Sequence, residues 1–217
     1  GIAIAPSFLA KLSNDFAVEM ARLEEECCKH AGEKFNLGSP KQLGDILFGK
    51  FSLPGGKKTK TGAWSTDADI LEELAAQGHE LPRAILDWRQ LSKLKSTYTD
   101  KLPRMVNPST GRVHTNYGQA IAVTGRLSSN EPNLQNIPVR TELGKRIRTA
   151  FIAEKDMALV SADYSQFELR LAAYLADDKE LINMFNDGVD IHTITAAQVY
   201  GRDPEDVTKQ MRRDAKV

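Results

Sequence analysis

Met157-Ala-Leu-Val-Ser-Ala-Asp163-Tyr-Ser-Gln-Phe-Glu168-Leu-Arg170-Leu-Ala-Ala-Tyr-Leu-Ala176 is the stretch on which the reading of this chain turns. Its first half, Met157 to Ala162, is a short apolar run of strand length. Its second half has apolar residues at Phe167, Leu171, Tyr174 and Leu175, a spacing that predicts a helix. Asp163 therefore stands where a strand ends, and Glu168 follows about one helical turn later. A carboxylate at the end of a strand, backed by a helix, is well placed to hold a divalent cation. The same letters carry a plainer reading. Ser165-Gln-Phe-Glu168 fits the S-x-x-E capping box, and acidic residues favour helix N-termini. The local pattern leaves both open.

Length and charge narrow the setting. With 217 residues, 41% of them hydrophobic, the chain has enough apolar content for one or two cored domains. No apolar run approaches the roughly 18 residues of a membrane span, and no signal peptide opens the chain. The two cysteines, Cys27 and Cys28, are adjacent, and neighbours in one helix do not readily bridge. A reducing, cytoplasmic setting is the simple expectation. No Cys/His cluster has zinc spacing.

The formal net charge of zero conceals a pattern. Residues 1–80 hold 9 basic and 12 acidic residues, residues 81–150 hold 12 and 4, and residues 151–217 hold 8 and 13. A basic middle beside an acidic end suits a polyanion lying next to a metal site, although a solvated basic face has the same charge.

In chain order, residues 7–31 predict one long helix. Leu9, Leu12, Phe16, Met20, Leu23 and Cys27 step by three and four, and Gly32 stops it. Ser39-Pro40-Lys41-Gln42 predicts a second helix with an N-cap, an early proline and a capping-box glutamine. Pro54 to Gly62 is a lysine-bearing loop that lacks phosphate-loop spacing and reads as a surface loop. Thr66 opens a third helix and Gly78 closes it. Pro82 starts a fourth that runs to about Tyr98, with Arg89 and Lys93 four apart on one face. Their mutual repulsion has a reason if phosphates lie opposite.

Beyond residue 100 the texture changes. Arg112–Tyr117 has strand alternation after an Asn-Pro turn, with 119–124 as the expected partner. Residues 149–153 and 157–162 read as a second hairpin around a Glu-Lys-Asp turn. Residues 124–140 are rich in amides, hydroxyls and arginine. Such groups suit phosphates and minor-groove acceptors, or alternatively their own loop backbone. The last helix, with Arg212 and Lys216 on one face, has no stop before Val217, and the chain opens at Gly1 without Met. Both ends read as cuts in a longer protein.

Three blocks stand in order: Thr-Gly-Arg-Leu-Ser-Ser…Pro-Asn-Leu-Gln-Asn-Ile-Pro (124–138), Asp-Tyr-Ser-Gln-Phe-Glu-Leu-Arg (163–170) and Arg-Arg-Asp-Ala-Lys (212–216). Together they resemble the family A DNA polymerases. The likeness runs the length of the chain, through Lys-Leu-Lys-Ser-Thr-Tyr-Thr-Asp (93–100) and Asp-Ile-His (190–192). It implies an α+β, mostly helical, partial right-hand fold. Residues 1–100 would form a helical thumb and residues 101–168 part of a palm with a small antiparallel sheet. Residues 169–217 would be the start of the fingers.

The resemblance also assigns roles. Asp163, with the Tyr164 carbonyl, matches the first ligand of two Mg²⁺ ions used in nucleotidyl transfer to a primer 3′-hydroxyl. Glu168 matches the residue that blocks a ribose 2′-hydroxyl, and Phe167, where many bacterial members carry Ile, packs under the sugar. Tyr164, Gln166, His192, Arg212 and Lys216 match positions that bind the deoxynucleoside triphosphate. Arg126, Asn133, Gln135 and Asn136 match contacts to primer-template DNA in the minor groove, and Arg89, Lys93 and Ser96 match contacts to its backbone. The family's second catalytic carboxylate lies in a His-Asp-Glu motif, and no His-Asp-Glu occurs in this sequence. The expected activity is therefore that of a DNA polymerase whose complete form holds this chain, with the chain itself catalytically incomplete. A non-catalytic duplex-DNA-binding module is the second expectation. Self-association through exposed sheet surface is a further one.

Overall fold

The computed structural model describes residues 1–139 and 141–215. It is mostly helical with small antiparallel sheets, and it divides into two compact units, residues 1–159 and 160–217.

The first unit is built on the helix the apolar period predicts, α1 (Pro6–Ala31). Pro6 supplies a preset φ at the first turn, and Gly32 closes the helix at φ 70° in the left-handed region. Its stripe of Leu9, Leu12, Phe16, Leu23, Cys27 and Ala31 is buried. Burial pushes the Cys27 thiol up to about 12, so it behaves as a small core hydrophobe rather than a nucleophile.

Against α1 packs α4 (Glu80–Leu94), which in turn holds α3 (Ala68–Ala76). Helix α4 buries Leu81, Ala84, Ile85, Leu91 and Leu94 and continues as a π-helical turn, Lys95–Thr99. A polar tie fixes that turn to α1: Asp100 accepts from Ser13 Oγ at 2.5 Å and from Lys95 Nζ at 2.7 Å. Together Lys95 and Ser13 outweigh partial burial and hold the Asp100 carboxyl below its usual range.

Helix α2 (Pro40–Gly44) starts at the expected cap, with Ser39 Oγ accepting from Gln42 N. The reciprocal half of the box is not made, because Gln42 Oε1 accepts from Asn36 N instead, at 2.8 Å. Helix α2 then runs into a π-helical turn, Asp45–Lys50. The third helix begins at Ala68 rather than Thr66: Thr66 is buried, and its oxygens serve Arg89.

The sheet departs from the sequence expectation in its pairing. A strand not anticipated, β1 (Ile2–Ile4), lies between β3 (Arg112–Val113) and β6 (Phe151–Ile152), and β2 (Val106–Asn107) flanks β3. All pairs are antiparallel. β6 thus pairs with the start of the chain, not with residues 157–162. Those residues form no strand among the described residues and leave Met157, Leu159 and Val160 exposed. β1 pairs along one edge of β6, and β6 ends the sheet with no described strand on its other edge.

The second sheet pairs β4 (Asn116–Gly118) with β5 (Ser128–Asn130) rather than with 119–124. The reason is local. Ser129, buried in β5, shares a hydrogen bond with Thr115 at 2.7 Å and accepts from Leu134 N at 3.0 Å, so it locks that register. Helix α5 (Glu142–Arg148), capped by Thr141, sits directly on Pro138: a Cβ at Gly144 would come within 2.6 Å of the Pro138 carbonyl oxygen. Only glycine allows this approach, which anchors the end of the amide-rich segment.

The second unit holds α6 (Phe167–Leu175), α7 (Lys179–Asn186), α8 (Ile191–Tyr200) and α9 (Lys209–Asp214). Its small buried core comprises Ala173, Phe185, Ala196 and Ala197, and the Arg170 guanidinium stacks 4.6 Å from the Phe185 ring centre.

Candidate nucleotide and nucleic-acid site

In the first unit, the end of α4, residues from 132–139 and Thr141 line a cleft of about 760 Å³. Lys93, Tyr98, Asn133 and Asn136 line it, so three of the predicted DNA-contact residues share one wall system. Tyr98 fixes the geometry by donating its hydroxyl to the Asn136 carbonyl at 2.5 Å, and burial raises the phenol's pKa. The carbonyl is used in this way, while the Asn136 side chain points to an exposed position. Asn133 Oδ1 accepts from Gln135 N at 3.0 Å, and Gln135 Nε2 donates to the Leu127 carbonyl at 3.2 Å. Part of this segment's polarity therefore serves its own turns, as the plainer sequence reading expected. Arg126 is exposed on the same segment.

The basic face of α4 divides. Arg89 is half-buried and donates to both the backbone carbonyl and the hydroxyl of Thr66, bracing α4 against the start of α3. Burial lowers its pKa from the usual guanidinium value, against a smaller opposing pull from Asp67. Each of its terminal nitrogens thus makes one bond to Thr66. Lys93, one turn later, is exposed, and no described residue bonds its ammonium. Ser96 Oγ turns back to the Lys93 carbonyl at 3.3 Å.

In the second unit, Asp163 and Tyr164 stand on the exposed stretch that leads into α6. The Tyr164 and Phe167 rings lie 5.7 Å apart in a tilted pair. Helix α6 begins at Phe167 with Gln166 as its cap residue, one position later than the Ser165 capping box requires. Glu168 is thereby in the first turn, where its charge complements the helix dipole, and the box is not its role. Gln166 holds a left-handed backbone, φ 53°, uncommon for a residue other than glycine. Arg170 Nε donates to the Ser165 carbonyl at 2.9 Å, closing the turn.

Asp190 is the residue that joins the rest. It caps α8 by accepting from His192 N at 3.2 Å and from Thr193 Oγ1 at 3.0 Å. The same carboxylate accepts from Gln166 Nε2 at 3.3 Å and from Arg212 Nε at 2.5 Å. Two predicted triphosphate residues on separate elements, Gln166 and Arg212, thus meet at one side chain, and the backbone amide of a third, His192, caps it from two residues along the chain. Lys216, the fourth, lies outside the described residues.

Arg212 holds the Asp190 carboxyl down at about 2, with Thr193 and the His192 amide adding to the effect against partial burial. A depressed folded-state pKa contributes stability that is present above the ordinary carboxylate value and lost as pH falls through the folded one. The Asp190–Arg212 tie should therefore be intact at pH 5 and dissolve only as pH approaches about 2. A carboxyl ¹³C titration of Asp190 reads this, and a midpoint at the ordinary carboxylate value would contradict the pairing. The sequence signal for Asp190 was its capping position, Asp190 with Thr193 three residues on. Nothing local pointed to Arg212.

As to metal, a carboxylate and a backbone carbonyl are hard oxygen donors of the kind Mg²⁺ takes. Asp163 and Tyr164 supply both in adjacent residues. Among the described residues no group of three or more His, Cys, Asp or Glu stands ready to hold an ion. The donors fit magnesium in kind but do not complete its shell.

The two units thus present an exposed oxygen-donor pair, an arginine–amide cluster and a lysine–amide cleft. The chain belongs to DNA polymerase family A, whose model matches residues 6–217. It is 59% identical over 216 residues to DNA polymerase I of Rhizobium leguminosarum, matching all of this chain and 21% of that protein. Against the thermostable DNA polymerase I of Thermus aquaticus it is 51% identical over 217 residues, matching 26% of that protein. The chain thus spans about a quarter or less of the length of these curated relatives. Among solved structures it resembles the POL domain of Pol1 from M. smegmatis in complex with DNA primer-template and dNTP. The TM-score is 0.89 at 44% identity, covering all of this chain and 38% of that one. No helix among the described residues is long and apolar enough to cross a membrane.

Proposed function

We propose that this chain is the thumb, part of the palm and the first part of the fingers of a template-directed DNA polymerase of bacterial replication and repair, acting in the cytoplasm at the nucleoid. Residues 1–100 form the thumb, 101–168 the palm portion and 169–217 the fingers portion. The observation that carries this reading is the gathering of Gln166, His192 and Arg212 round Asp190. The turn that holds Gln166 also bears Glu168 and follows closely on Asp163.

In this reading the Asp163 carboxylate and Tyr164 carbonyl hold Mg²⁺ in the complete enzyme, which also holds the second carboxylate. When bound, the ions activate the primer hydroxyl and neutralise the leaving pyrophosphate. Arg212, His192, Gln166 and Lys216 bind the triphosphate, since charge-assisted bonds to phosphate are the strong ones. Phe167 lies under the sugar, and Glu168 excludes a 2′-hydroxyl. Asn136, Gln135, Asn133 and Arg126 face the minor groove, whose acceptors are common to all pairs, so pair shape is tested without reading sequence. Lys93 and Ser96 grip the phosphate backbone. Arg89 supports that grip by bracing the helix that bears Lys93.

The lone candidate metal carboxylate favours a second reading for the chain by itself: a duplex-binding module that does not extend primers. Primer extension with Mg²⁺ and four deoxynucleotides tests both. The isolated chain should bind primer-template and add nothing, while the complete polymerase extends. Extension by the chain alone would overturn the assignment. Binding should weaken steeply with salt, and Lys93→Ala should reduce the salt slope by about 1 without altering sequence preference. Exposed Met157, Leu159 and Val160 give the isolated chain a self-association surface. Sedimentation across a concentration series should show reversible oligomers, and a strict monomer at all concentrations would refute it.

A further inference from the structure

Arginine carries five N–H donors, one on Nε and two on each terminal nitrogen. In Arg212 the Nε–H is spent on Asp190 Oδ2 at 2.5 Å, and no described residue bonds the terminal nitrogens. The guanidinium is thus fixed at its inner edge while its outer fork remains available, the edge that takes phosphate oxygens in pairs. Asp190 is itself immobilised by the His192 amide and the Thr193 hydroxyl at the start of α8. Its other oxygen also receives the Gln166 amide.

We propose that Asp190 is a positioning residue for the incoming nucleotide: it fixes Arg212 through Nε and leaves the terminal nitrogens of the guanidinium to the triphosphate. The proposal rests on the nucleotide-binding reading of Arg212 given above. Two consequences separate it from a purely structural cap. Loss of the Asp190 charge acts on nucleotide affinity rather than on DNA affinity, and it acts only through Arg212. A carboxylate that instead withheld Arg212 from phosphate would, on removal, tighten nucleotide binding.

The test is a double-mutant cycle in the complete polymerase, read as KM for deoxynucleotide, kcat and primer-template Kd, with thermal midpoints as a fold control. Asp190→Asn keeps the size and the capping oxygen and removes the charge. Asp190→Ser keeps a cap by different means, should amide substitution impair folding. Each should raise KM about tenfold, as expected for losing a charge-assisted bond, with DNA Kd unchanged. In an Arg212→Ala background the same substitutions should change KM by less than about twofold, because coupled residues are not additive. An equal factor in both backgrounds, or an unchanged or lowered KM in the parent, overturns the proposal. If Arg212→Ala alone leaves KM unaltered, the nucleotide reading of Arg212 falls first, and the proposal falls with it.

Discussion

Replacement of Asp163 by Ala in the complete polymerase should lower single-turnover deoxynucleotide incorporation by about a thousandfold or more. The magnitude follows from what a metal ligand supplies: several kcal/mol of charge stabilisation at the reacting phosphate, at roughly 1.4 kcal/mol per tenfold in rate. Asp163 is exposed and outside both cores, so its removal leaves no cavity and no unpaired buried group. Folding and primer-template affinity should therefore stay within about twofold of the parent. Asp163→Glu should fare little better, because an octahedral magnesium shell tolerates little displacement and about 1 Å of misplacement can cost a hundredfold. Rapid-quench incorporation, paired with a DNA-binding titration, makes the measurement. A variant that retains a rate within tenfold of the parent would remove Asp163 from the metal site.

Phe16→Ala should destabilise the first unit by about 3–5 kcal/mol, the range for truncating a fully buried aromatic. Phe16 is 1% exposed in the middle of the α1 stripe, where α4 packs. For a unit of this size the loss corresponds to roughly 10 °C or more in melting temperature. Val18 on the same helix is 72% exposed, so Val18→Ala should stay within about 0.5 kcal/mol. Thermal melts of the two variants followed by circular dichroism decide it, and equal shifts would mean the α1–α4 packing is misassigned. The functional consequence is indirect. Lys93 stands on α4, and a loosened α1 leaves that helix without its backing.

Helix α1 was legible from its letters because a 26-residue amphipathic stripe repeats its signal many times, and proline and glycine mark its ends. Ser39 was legible as a cap for the same kind of local reason. The strands were legible only in part: 112–117 holds β3 and the start of β4, and 149–153 holds β6, while β1, β2 and β5, two or three residues each, are too short for alternation to register. Two expected hairpins are not formed. Residues 157–162 have strand composition but form no strand, and among the described residues β6 pairs with β1 alone. Residues 119–124 lost β4 to β5, whose Ser129 is buried and locked by Thr115 and Leu134.

The amino-acid sequence by itself determined the family and the mostly helical fold, and it nominated the candidate site residues. These are written in contiguous motifs whose residue types the chemistry demands. Only the tertiary structure decided what each of those residues does with its bonding capacity. Arg89 and Lys93 look equivalent at four-residue spacing, yet one faces inward to Thr66 and the other outward to solvent. Arg212 and Asp190 are far apart in the chain, yet they form the shortest tie in the second unit's candidate site. Glu168 fitted a capping box on paper, and the helix began one residue too late to use it. Pattern fixes which groups are present. Partner choice depends on distances across elements, and no local window of sequence contains those.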